Sequence, residues 1–174
     1  MSSEIDPHVL YPEAPLLFHP ERRSDQDKHP LNGLLRFGPY SQSIMPSPIR
    51  VATLAPANES QKLFSFMREL HQKFQPVERN EYLPEWPGFH VVFQTKVTAA
   101  DKKCRRELEL DIDEAMKRAE RPHVILAEHL IRAIQPLEAC RSDFDVLFLY
   151  LPQRWQEGFA GKDDDFDLHD HLSV

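Results

Sequence analysis

Positive charge is in short supply in this sequence: 21 Lys and Arg stand against 28 Asp and Glu, a formal net charge of −7. A protein that coats nucleic acid indiscriminately needs a basic surface, so that class is excluded. Glycine is scarcer still, with five in the chain and none clustered. There is no GxGxxG, no Walker loop and no Gly-x-Ser-x-Gly elbow. The usual nucleotide cofactors and the serine-hydrolase elbow drop out with them. The two cysteines, Cys104 and Cys140, make neither a disulfide framework nor a zinc site. A reducing, cytoplasmic setting is the expectation. No run of 18 uncharged apolar residues is present, which excludes a transmembrane helix and gives no reason to expect a membrane partner. Met1-Ser2-Ser3-Glu4-Ile5-Asp6 lacks the basic and then apolar pattern of a secretory signal.

What is present is enough to fold. Of 174 residues, 41% are hydrophobic, and eleven Phe supply most of the aromatic bulk. A chain of this length buries about 70% of its unfolded surface, as one domain or one domain with an extension. The acidity is uneven: Gly161 to Val174 hold five Asp and one Lys, so more than half of the net charge sits in fourteen residues. Local basic patches elsewhere are therefore compatible with the total.

Proline divides the chain. Eight of fifteen prolines precede Ile49. Pro7, Pro12, Pro15, Pro20, Pro30, Pro39, Pro46 and Pro48 leave no window for a normal helix. The apolar, strand-like clusters Leu16-Leu17-Phe18 and Leu34-Leu35-Arg36-Phe37 nevertheless need cover. Residues 1–48 are thus expected to form a proline-rich extended arm lying on a partner surface. From Ile49 the pattern is regular. Ile49 to Leu54 reads as a strand. Glu59 to Gln75 reads as a helix with Asn58 as N-cap and Pro76 as its stop. Phe89 to Phe93 reads as a second strand, Arg106 to Ile112 as a strand followed by a helix, and His123 to Leu137 as a helix. Phe144 to Leu151 is nearly continuously apolar and reads as a central strand covered on both faces. Strand, helix, strand is the start of a parallel crossover, so residues 49–174 are expected to be α/β with a Rossmann-like parallel sheet.

Ligands of open α/β sheets bind beyond the carboxyl ends of the strands. The best-defined end here is Leu151-Pro152-Gln153-Arg154-Trp155, which makes Gln153 and Arg154 candidate binding residues. The segment Asp163 to His171 is the one polar cluster with chemical promise. His169 and His171, with Asp165 and Asp167, offer ligands to a divalent cation, but the spacing is nonspecific. Alternatively Asp165 or Asp167 caps a helix whose first turn carries His169, a seat for an anion. Cys104 stands in a basic run, Lys102-Lys103-Cys104-Arg105-Arg106, which reads as a solvated face, as a phosphate contact or as the setting of a low-pKa thiol. Trp86 and Trp155 read as packing residues.

Several segments together resemble a known family. His29-Pro30-Leu31-Asn32-Gly33-Leu34-Leu35-Arg36-Phe37-Gly38-Pro39-Tyr40-Ser41 resembles the segment with which short prokaryotic Argonautes enter their MID domain. Ile49 to Leu54 is similar to the first MID strand, and Glu81 to Phe89, leading into Val92-Phe93, to the next landmark. Asp145 to Pro152 resembles the family's aspartate, apolar strand and proline, and Asp167-Leu168-His169-Asp170 the start of its guide-anchoring helix. The resemblance covers nearly the whole chain in the right order.

It implies a Rossmann-like MID-type domain over 49–174, incomplete at its C-terminal end, that grips the 5′ end of a guide RNA or DNA. His169 matches the first phosphate-binding position, with Arg154 and Gln153 as further nucleic-acid contacts. Four residues on, the family has a lysine where this chain has Ser173. The rest of the pocket and the PIWI domain are not in this sequence, so no nuclease activity and no cofactor are expected; a divalent cation would join the guide end only in a completed pocket. A guide phosphate carries about two charges and needs paired cations, and neighbouring aspartates oppose it. The implied partners are a guide, a PIWI-containing polypeptide that completes the fold, and a companion effector protein in defence against invading DNA. The acidic balance and the missing lysine support a second reading, an α/β interaction protein that docks a partner and touches no nucleic acid; a third, a metal-dependent hydrolase using Asp165, Asp167, His169 and His171, lacks a second carboxylate motif.

Overall fold

The computed structural model describes residues 14–78, 82–109 and 111–159. These divide into two compact units. One takes the described residues up to Ile44 together with Phe74–Trp86; the other takes Met45–Lys73 and the described residues from Pro87 onward.

In the first unit two short strands, β1 (Leu16–Leu17) and β2 (Gln26–Asp27), pair antiparallel. They are followed by helix α1 (Pro30–Phe37). This corrects the reading of an extended arm with no window for a helix. Pro30 occupies the first helical turn, where its missing N–H costs nothing. His29 caps the helix by accepting from the Asn32 backbone N–H at 3.2 Å. Leu34 to Phe37, expected as strand, is its second half. Phe74 and Trp86 exchange two backbone hydrogen bonds of 2.8 Å and so close the loop between them.

The second unit is α/β, and its centre is β3 (Ile49–Pro56). Seven of the eight β3 residues are buried, as a strand covered on both faces requires. All its partners run parallel to it. Helix α2 (Ser60–Leu70) and the single-turn helix α3 (Phe89–Phe93) lead to β4 (Val97–Ala99), which pairs with Ile49–Val51. A 3₁₀ turn (Lys102–Cys104) leads to β5 (Arg105–Leu108), which pairs with Thr53–Pro56. Thus β4 and β5 lie end to end along one edge of β3, like a single strand interrupted by a turn. Helices α4 (Ile112–Arg118) and α5 (Pro122–Ile134) and a 3₁₀ stretch (Gln135–Asp143) then lead to β6 (Val146–Leu149). It pairs with Val51–Leu54 on the opposite edge. The four-stranded parallel sheet, with helices between its strands, is compatible with a Rossmann-like fold.

Alternation along β3 sorts the core into faces. Ile49 and Val51 pack with Met67 of α2 and Val97. Leu54 packs on the other side with Leu108, Ile112, Leu126, Leu130 and Trp155. Each such side chain contributes about 1.5–3 kcal/mol by leaving water.

Three further expectations need correction. Phe89–Phe93 is helical, because Gly88 turns the chain at φ 104° and only Val92 of the five is buried. Pleated pairing begins four residues later, at Val97. The α2 helix begins after Glu59 rather than at an Asn58 cap, since Asn58 is left-handed at φ 66°, and it ends at Leu70, before Pro76. Finally, β6 is an edge strand among the described residues: it pairs with β3 alone, and Val146 is 41% exposed.

Candidate functional site

Parallel pairing gathers the carboxyl ends of β3, β5 and β6 at one side of the sheet. The Ala57 N–H donates to the Leu108 carbonyl at 3.0 Å, and the Tyr150 N–H to the Leu54 carbonyl at 2.9 Å, so the three ends are stitched together. Beyond them the left-handed Asn58 turns the chain into α2, which brings Glu59 and Lys62 to this side. After β6, Pro152 starts the 3₁₀ turn Gln153–Gly158 and carries Arg154 and Trp155 to it.

These side chains form one continuous polar chain. Lys62 Nζ donates to Tyr150 Oη at 2.8 Å and to Glu59 Oε2 at 2.6 Å. The other Glu59 oxygen meets Arg154 Nη1 at 2.5 Å. Arg154 Nε reaches both oxygens of Asp113 at 3.3 Å. Asp113 also accepts from the indole N–H of Trp155. Lys62 lies over the Tyr150 ring and Arg154 over the Trp155 ring.

The electrostatics follow from these contacts. The Lys62 ammonium, and then Arg154, hold the Glu59 carboxyl below the usual carboxylate range against the opposing effect of burial. Glu59 in turn raises the Lys62 ammonium. Burial works against the Arg154 charge, but Glu59 and Asp113 outweigh it and raise the guanidinium. Two cations and two carboxylates balance here. An anion can be seated only by competing with Glu59 and Asp113.

The residues expected to bind nucleic acid are distributed as follows. Arg154 stands in this network. Gln153 is exposed, its amide donating to Gln156 Oε1 at 2.6 Å within its own turn. His169 lies outside the described residues, as do Asp165, Asp167 and His171. Glu59, Lys62, Tyr150 and Asp113 were not singled out by sequence. The one signal pointing to them was the Glu59–Lys62 pair opening a helix just after a predicted strand.

In the basic run around Cys104, Lys102, Lys103 and Arg105 are exposed, as the reading of a solvated face expects. Cys104 is fully buried, and burial, followed by the neighbouring Cys140, pushes its thiol up to about 11. The low-pKa thiol reading is therefore overturned. Lys103 pairs with Asp143 at 2.6 Å, and Arg105 donates to the Ala100 carbonyl at 3.2 Å while lying over Phe64. Trp155, 2% exposed, is a packing residue as expected.

No protein-family model matches this chain, and no curated protein matches it.

Proposed function

We propose that this chain is the non-catalytic guide-binding module of a short prokaryotic Argonaute, anchoring the 5′ end of a guide RNA or DNA. In this reading it acts with a polypeptide that completes its pocket and with a companion effector, in defence against invading DNA. The order of family-like segments along the sequence is the basis of the proposal. The observation that carries it furthest is the presence of Lys62 and Arg154 at the carboxyl ends of a parallel sheet, where open α/β sheets take their ligands. His169 is assigned from sequence alone. Lysine is missing at position 173, and Glu59 and Asp113 hold the two cations, so the isolated chain is expected to bind weakly.

The test is a titration with labelled single strands bearing either a 5′-phosphate or a 5′-hydroxyl, at about 0.15 M salt, where exposed backbone contacts are screened. The phosphorylated strand should bind more tightly. Arg154→Ala and His169→Ala should each remove that difference, and Glu59→Gln should enlarge it by freeing Lys62 and leaving Arg154 to Asp113 alone. A preference that survives both alanine variants would sink the assignment.

The same balanced charges favour one other reading, an α/β interaction domain that docks an effector without touching nucleic acid. In that case none of the strands binds, with or without the completing polypeptide.

A further inference from the structure

Beyond the carboxyl end of β5 the chain presents Glu109 and then Asp111, and α5 presents His129 towards them. One ligand atom from each, two carboxylate oxygens and an imidazole nitrogen, lie within 4.8 Å of one another. His129 and Glu109 also line a cavity of about 150 Å³, together with Glu107, Leu108, Arg132 and Ala133. Several neighbouring carboxylates have cationic partners: Asp113 meets Arg154, Glu114 meets Lys117, and Glu128 meets Arg132, whereas Glu107, which lines the same cavity, is in no ion pair with a described residue. Among the described residues, Glu109 and Asp111 have no such partner. Two carboxylates are thus brought together with an imidazole from another element, and the cation lining the same cavity, Arg132, pairs with Glu128 rather than with them.

We propose that Glu109, Asp111 and His129 form a binding site for a divalent cation of the zinc or manganese type. One nitrogen and two oxygens suit a borderline cation, whereas Mg²⁺ and Ca²⁺ favour shells made of oxygen alone. In a tetrahedral shell with bonds near 2.1 Å, ligand atoms stand about 3.4 Å apart. Glu109 and Asp111 are exposed and His129 is half-buried, so side-chain rotation closes the remaining gap. Three protein ligands leave at least one position for water or for an anionic ligand. The cation would join the β5–α4 loop to α5, two elements separated in sequence and adjacent in the fold. This site is independent of the guide-binding reading, since none of its ligands belongs to the Glu59–Arg154 network.

The experiment uses the full chain, freed of metal by a chelator. Zn²⁺ is titrated calorimetrically, and Co²⁺ serves as a spectroscopic substitute whose visible absorption reports a nitrogen–oxygen shell. One equivalent should bind, and excess Mg²⁺ should not displace it. His129→Ala should weaken binding by at least about tenfold and abolish the Co²⁺ bands. The double variant Glu109→Gln with Asp111→Asn should do the same, and so guards against a folding defect in either variant. His169→Ala with His171→Ala should leave the site intact. The proposal is overturned if no cation binds, if Mg²⁺ displaces it, or if binding survives loss of His129 and disappears with His169 and His171.

Discussion

Asp145 illustrates how much one side chain can hold. Its carboxylate accepts from the Arg50 backbone N–H at 2.7 Å, from Nε at 3.2 Å and from Nη2 at 3.0 Å. It thereby clamps the start of β6 to the start of β3. The Arg50 side chain, and then its backbone N–H, hold the carboxyl below its ordinary range. A carboxyl depressed in the folded state adds stability above its unfolded pKa of about 3.9, and that stability is lost as pH falls through the folded value. Asp145→Asn should therefore lower stability at neutral pH and flatten its acid dependence below about pH 4, measured by urea unfolding across pH. An unchanged acid limb would show that other carboxylates govern it. In sequence Asp145 was visible only as the residue opening an apolar strand. Nothing local announces a partner 95 positions away. Gly158 has a different constraint: a Cβ there would stand 2.9 Å from Leu126 Cδ2 and 3.0 Å from Met116 Sδ. Gly158→Ala should cost about 1–3 kcal/mol, seen as a lower denaturation midpoint with unchanged slope.

At the scale of elements, the strands of the sheet are unequal. Among the described residues every pairing in the sheet involves β3, while β6 has one neighbour and a half-exposed face on which Phe66 meets Phe148 at 5.8 Å. Leu54→Ala on β3 should cost about 2–5 kcal/mol, because it removes atoms from a fully buried site. Val146→Lys on β6 should cost about 1 kcal/mol or less. Comparable losses from the two would contradict the assignment of hub and edge. The hub was legible, because an apolar run between turn signals marks a strand. The edge was not, since covered and half-covered apolar strands read alike. The α1 helix was hidden by counting prolines without asking whether Pro30 could open a helix. The α3 helix was hidden by a β-branched pair in a segment whose geometry is set by Gly88. Of the candidate site, sequence located the carboxyl end and Arg154, but not the carboxylates that engage that arginine, because those come from α2 and α4.

At the scale of the whole molecule, the two units differ in core. The described residues of the first bury only Phe18, Gly33 and Pro76, whereas the second has three clusters of buried side chains. Small cores are marginal. Trp86 belongs to the first unit and Trp155 to the second. In a Trp86→Phe variant, fluorescence reports Trp155 alone. Its transition is expected at higher denaturant than the part of the wild-type signal owed to Trp86. Coincident transitions would instead mean that the two units unfold together.

The position of β3 in the chain also matters while the protein is being made. Its residues leave the ribosome first among the strands of their sheet, and about ninety residues separate Pro56 from Val146 on the far edge. At about 5–20 residues per second, that is roughly 5–20 s during which an apolar strand waits with one side unoccupied. The nascent chain over this interval is where a holding chaperone would be found.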